Sequence, residues 1–211
     1  HRETLGFTPS LRQERLMSID NESRITLIGA GRMGSALAGG WLKAGRSGFI
    51  DIVDPSPAAP VQSWIDAGAV RHNPEPAPAD ILVVAVKPQV FGDLAIEIGR
   101  WVGPKTLVLS IMAGVSLNTL ETKLGTEHVA RAMPNTPGLV GKGVTILCPP
   151  AGTEPSRIEA LTALLSPLGD VVGPIAEDLL PAATALSGCG PAYGFLLAEV
   201  MAAAGAAHGR D

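Results

Sequence analysis

The chain has 211 residues, 46% of them hydrophobic, which is enough apolar material for one ordinary domain and part of a second. Its 20 acidic and 16 basic residues give a formal charge of -4 without long runs of either sign. No basic patch for nucleic acid or an anionic membrane surface is therefore expected, and small-molecule chemistry is favoured.

Residues 1–22 carry no useful periodicity and are read as a disordered N-terminal extension, with Met17 as an alternative start. Ile25 to Ile28 is a short apolar run ending in glycine, after which Met33, Leu37 and Trp41 recur every four residues before Gly45: strand, turn, helix. Further strands are predicted at Phe49 to Val53, Ile81 to Val86 and Leu107 to Met112. Helices are predicted between them at Val61 to Ala67 and Phe91 to Trp101, and a third after them at Leu117 to Leu124. Continuous apolar strands alternating with helices imply a parallel sheet buried on both faces, in a doubly wound α/β arrangement. Val129 to Ala132 and Val144 to Cys148 read as more strands, Ile158 to Leu165 as a helix, and Val171 and Val172 as the closing strand.

After Pro174 the chain becomes rich in Ala and Leu, and the segment 175–211 reads as the start of an all-helical part that follows the α/β domain at 23–174. The last helix has more apolar surface than its neighbours can cover, so either the chain continues or a partner packs there. No single apolar run reaches the ~20 residues of a membrane-spanning helix, so no membrane partner is expected.

The strongest local signal is Gly29-Ala30-Gly31-Arg32-Met33-Gly34, a G-x-G-x-x-G between a predicted strand and a predicted helix. There Gly29 permits a tight turn, Gly31 lets backbone approach a pyrophosphate, and Gly34 lets helix and strand pack closely, as in a Rossmann dinucleotide site. The helix N-terminus adds free N–H groups and partial positive charge. Asp54, twenty residues on, is either a ribose-binding carboxylate that favours NADH or a turn former before Pro55. Ser56 could donate to a 2′-phosphate and soften that preference. Val86-Lys87-Pro88 and Ala113-Gly114 end two other strands, at the edge where open α/β sheets bind ligands. In Met133-Pro134-Asn135-Thr136-Pro137 the amide of Asn135 could orient a nicotinamide or bond only its own turn. In Leu186-Ser187-Gly188-Cys189-Gly190-Pro191 the glycines precede a helix with an early proline, which suits an anion such as a carboxylate. Cys189 lacks a partnered base, and the scattered His1, His72, His128 and His208 offer no metal spacing, so neither nucleophile nor metal is expected. Two cysteines without a disulfide framework fit a cytoplasmic protein.

Taken together and in order, these motifs with Ala85-Val86-Lys87-Pro88 and Leu186 to Tyr193 resemble the pyrroline-5-carboxylate reductases, from about Ser23 to the C-terminus. The resemblance implies reduction of 1-pyrroline-5-carboxylate to L-proline by NADPH or NADH in a homo-oligomer. By carry-over, Ala30, Arg32, Met33, Ser56, Asn73, Lys87 and Ala113 fall where the family contacts the dinucleotide, and Glu177 where it has an acidic residue near the substrate. It also implies that family members continue past Gly205 to Asp211 with the remainder of a helical dimer domain and a substrate-binding loop. Hydride transfer to an iminium carbon needs alignment within about 3–3.5 Å more than it needs an acid residue. Two rival readings stand beside it. One is a β-hydroxyacid dehydrogenase-like reductase, which would use a lysine in the later helical segment, where no lysine follows Lys142; the other is a dinucleotide-binding fragment without catalysis.

Overall fold

The computed structural model describes residues 23–209, and the extension expected at 1–22 lies outside the described residues. One eight-stranded sheet organises the chain, with strand order β3-β2-β1-β4-β5-β6-β7-β8. Its strands are β1 (Ile25–Ile28), β2 (Ile50–Val53), β3 (Arg71–His72), β4 (Ile81–Val84), β5 (Leu107–Ser110), β6 (Val129–Met133), β7 (Gly143–Cys148) and β8 (Gly169–Val172). Helices α1 (Arg32–Lys43), α2 (Ala59–Asp66), α3 (Pro88–Gly99), α4 (Leu117–Leu124) and α5 (Pro155–Leu165) cover it, and α6 (Leu180–Ser187) and α7 (Gly190–Ala207) follow.

Strands β1 to β6 run parallel, and β1 lies between β2 and β4, with Ile25 level with both Ile50 and Ile81. Alternate residues of each strand serve opposite layers. Ile81 and Val83 pack with Leu37, Trp41 and Leu164 on one face, while Leu82 and Val84 pack with Phe91, Ile98 and Leu120 on the other. Double-sided burial is why the strands read as unbroken apolar runs. The indole Nε1 of Trp41, fully buried, donates to the carbonyl of Leu164 at 2.9 Å, which ties the first helix to the fifth. Helix α4 is closed at both ends: Ser116 accepts the Thr119 N–H at 3.1 Å, and Gly125 takes the left-handed conformation at φ 67°.

Three features depart from the sequence expectation. The sheet is not wholly parallel, because β7 pairs antiparallel with β6. Residues 134–142 between them hold only a 3-10 turn at Thr136–Val140, too little chain for a crossover helix. The two-residue β3 has no apolar run to announce it. Its Arg71 instead grips the buried Asp51 carboxylate through Nε and Nη2, both at 2.6 Å, while Arg24 reaches the same group at 3.1 Å. Finally, Gly188 and Cys189 both keep right-handed helical angles, so helix runs almost unbroken from Glu177 to Ala207. Those 31 residues are long and apolar enough to cross a membrane by length and composition, a property hidden when the segment is read as broken at Gly188-Cys189-Gly190-Pro191.

Helix α1 lies so close to the 166–168 turn that a β-carbon on Gly40 would collide with the Pro167 ring. Proline cannot swing aside. Gly40→Ala is expected to destabilise the protein by about 1–3 kcal/mol, an overpacking penalty readable as a lower urea midpoint at unchanged slope.

Candidate functional site

The ends of β1, β2, β4 and β5 deliver their following loops to one edge of the sheet, around the β1/β4 position where the strand order reverses. That is where an open α/β sheet leaves a crevice. A cleft of about 730 Å³ opens there, with Gly29, Gly31, Asp54, Asn73, Val86 and Lys87 in its wall. Pro55, Pro74, Val90 and Leu94 add apolar lining that suits an aromatic base, with the buried Trp101 behind them.

The glycine loop has the properties that its spacing implies. Gly29 sits at φ 91°, and a β-carbon there would stand 2.9 Å from the Ala85 carbonyl oxygen. At Gly34 a β-carbon would collide with the Gly29 carbonyl. A β-carbon on Gly31 would meet no atom within 4 Å, so its backbone is open to an approaching group. No side chain caps the start of α1, and its first-turn N–H groups are left for an anion. These residues fit a dinucleotide pyrophosphate.

Asp54 fulfils the turn-forming reading and does more. Its Oδ1 accepts the Ser56 N–H at 2.8 Å, and its Oδ2 accepts the Ala30 N–H of the glycine loop at 2.7 Å. Asn73, at φ 44°, accepts the Asp54 N–H at 2.9 Å and donates back to the Asp54 carbonyl at 3.2 Å. The second strand end is thereby fixed against the first, with the carboxylate in the cleft wall. Lys87 is exposed at the N-terminal boundary of α3 with Pro88 next to it, and Ala113 precedes Gly114 at φ 74° just past β5. Arg32 and Ser35 open instead onto a separate groove of about 960 Å³ along α1, between Trp64 and Leu139.

Three expected ligand-facing groups are engaged in holding the fold together. The Asn135 amide is buried: its Oδ1 accepts the Val144 N–H at 2.9 Å and its Nδ2 donates to the Ser187 carbonyl at 3.0 Å. Glu177 accepts from Arg131 Nη1 at 2.6 Å and from the Leu117 N–H at 2.7 Å, both on Oε1. The helix start at Gly190 is not an open anion site, because Gly188 and Cys189 donate their N–H groups to the Thr184 carbonyl and Ala192 donates to Cys189. An uninterrupted helix leaves few free donors at an internal turn. Ser187 Oγ donates to the Ala183 carbonyl at 2.9 Å, and a β-carbon on Gly188 would stand 2.9 Å from the Thr184 carbonyl. Gly190 has open space around it. Cys148, in β7 beside Arg131 of β6, has its thiol pKa pushed up by burial first and by Glu177 second.

Residues 24–114 match the family model "NADP oxidoreductase coenzyme F420-dependent", and residues 177–211 match "Pyrroline-5-carboxylate reductase dimerisation". The pyrroline-5-carboxylate reductase of Escherichia coli is 36% identical over 187 residues, which span 86% of this chain and 69% of that one. The structure of the Coxiella burnetii pyrroline-5-carboxylate reductase superposes with a TM-score of 0.80 at 29% identity, covering 90% of this chain and 73% of that one. The Plasmodium falciparum pyrroline carboxylate reductase, solved with NADP bound, gives 0.74 at 29% identity, covering 90% and 72%.

A carboxylate in the cleft wall repels a 2′-phosphate by about 1 kcal/mol or more at contact distance. NADH is therefore expected to bind at least as tightly as NADPH, and Asp54→Asn should move the ratio of their dissociation constants at least about fivefold toward NADPH. Fluorescence titration checks both, and tight NADPH with weak NADH in the unaltered protein would overturn the assignment.

Proposed function

Because the chain belongs to the pyrroline-5-carboxylate reductase family, we propose that it catalyses the reduction of 1-pyrroline-5-carboxylate to L-proline with NAD(P)H. The observation that carries this reading is the 36% identity with the Escherichia coli enzyme over 86% of the chain, together with the dimerisation model matched at 177–211. When bound, the dihydronicotinamide supplies a hydride to the imine carbon as the C=N π pair moves to nitrogen, and one proton completes the amine.

The residues of the chain then divide the work. Gly29 and Gly34 shape the loop, Ala30 ties it to Asp54, and Gly31 with the first-turn N–H groups of Arg32 and Met33 takes the pyrophosphate; Asp54, Ser56 and Asn73 border the adenosine end. Val86, Lys87 and Pro88 flank ribose and phosphate, and Ala113 with Gly114 leaves space beside the reacting ring. Ser187, Gly188 and Gly190 border the substrate from the helical side. Alignment of the two reactants supplies most of the rate, so no acid residue is assigned.

The helical segment is assigned to a second copy of the chain. Phe195, Leu196, Leu197, Val200 and Met201 are each more than half exposed, and this stretch falls within the matched dimerisation model. The free thiols of Cys148 and Cys189 support a reducing, cytoplasmic setting.

Mixing the protein with NAD(P)H and pyrroline-5-carboxylate should oxidise the cofactor and yield proline stoichiometrically. Cofactor binding without turnover would leave the dinucleotide-binding reading in its place. By sedimentation, the protein should run as a dimer or larger assembly, and a monomer that binds no apolar dye would refute the assigned role of the last helix.

A further inference from the structure

Side-chain hydrogen bonds fasten the helical segment at two points, and each point has a donor on β6 or on the loop that follows it. At the start of the segment, Glu177 Oε1 accepts from Arg131 Nη1 at 2.6 Å and from the Leu117 N–H at 2.7 Å. About 15 Å further along, at 1.5 Å of rise per residue, the Ser187 carbonyl accepts from Asn135 Nδ2 at 3.0 Å. Between them, the buried Leu180 packs against Ile146 and Cys148. Arg131 and Asn135 thus hold the two ends of one rigid span, whose far end carries the Ser187–Gly190 turn.

We propose that Glu177–Arg131 and Asn135–Ser187 form a two-point clasp that sets where the Ser187–Gly190 turn stands over the substrate, with Glu177 a positioning residue and not the proton donor. The inference rests on the reductase reading above. The geometry argues for an acceptor role, because one carboxylate oxygen already takes a bond from a cation and a bond from a helix N-terminal N–H. The Arg131 side chain is 10% exposed and its Nε has no partner, so Glu177 is the counter-charge that this buried cation requires. The same oxygen joins the start of α4, which follows the Ala113-Gly114 loop, to the start of the helical segment. Cofactor side and substrate side are thereby linked through a single atom.

The test compares Glu177→Gln, Arg131→Gln and the double variant, reading kcat and KM for pyrroline-5-carboxylate, the pH profile of kcat, and amide hydrogen exchange over residues 178–192. The clasp predicts that each single variant raises KM about tenfold, corresponding to 1.4 kcal/mol, with kcat changed less than about threefold. The double variant should cost no more than the worse single one, the pH profile should keep its shape, and exchange over 178–192 should quicken. Arg131→Lys, which keeps the cation, should recover much of the KM and stands in if Arg131→Gln fails to fold. A loss of about a hundredfold in kcat for Glu177→Gln, with one limb of the pH profile removed and Arg131→Gln near normal, would make Glu177 the proton donor and overturn the proposal. If the protein does not reduce pyrroline-5-carboxylate at all, the reductase reading fails while exchange still decides the clasp: quickened exchange in both variants supports it, and unchanged exchange overturns it.

Discussion

The close approach of α1 to the end of β1 is the constraint on which the rest of the molecule depends. Gly34 has no room for a β-carbon beside the Gly29 carbonyl, and Gly29 itself presses against Ala85 at the end of β4. Backbone therefore meets backbone at the centre of the sheet, where the strand order reverses, and the glycine loop brings main chain to the floor of the crevice above it. A lining of N–H groups and α-carbons lets an anion come nearer than side chains would permit. Asp54 extends this arrangement sideways by bonding the Ala30 N–H, so the second βα turn takes its position from the first.

The far side of the site is held in a different manner. There, side chains bridge elements that are remote in sequence: Asn135 reaches 52 residues to Ser187, and Glu177 reaches 60 residues to Leu117. One half of the site is thus built from backbone, and the other is held by side chains that join remote elements.

This difference also explains what the sequence made legible. The strands of the sheet centre were readable because each is an apolar run buried on both faces, and the glycine loop because its steric demands repeat at fixed spacing. Strand ends were read two residues long at Val86 and Met112, since apolar residues continue past Val84 and Ser110, where pairing stops. The Arg71–His72 strand was invisible because it has no apolar run of its own; it is held by pairing with β2 and by the bond from Arg71 to Asp51, twenty residues away. Asn135 and Glu177 were legible as polar residues in notable places, but their roles were not: nothing local distinguishes an amide aimed at a ligand from one aimed at a carbonyl on another helix. At Gly188-Cys189 the glycines signalled a break, yet right-handed angles suit both residues and the helix passes through.

The order of elements along the chain also bears on how the protein is made. The eight strands of the described residues lie before Gly173, so during synthesis the sheet can close while the apolar helices from Leu180 onward are still inside the ribosome or just leaving it. The part of the chain most prone to sticking is thus exposed only after a folded body exists to carry it. Because its buried attachments run to Arg131 and Asn135, the segment emerges to find its docking points already in place.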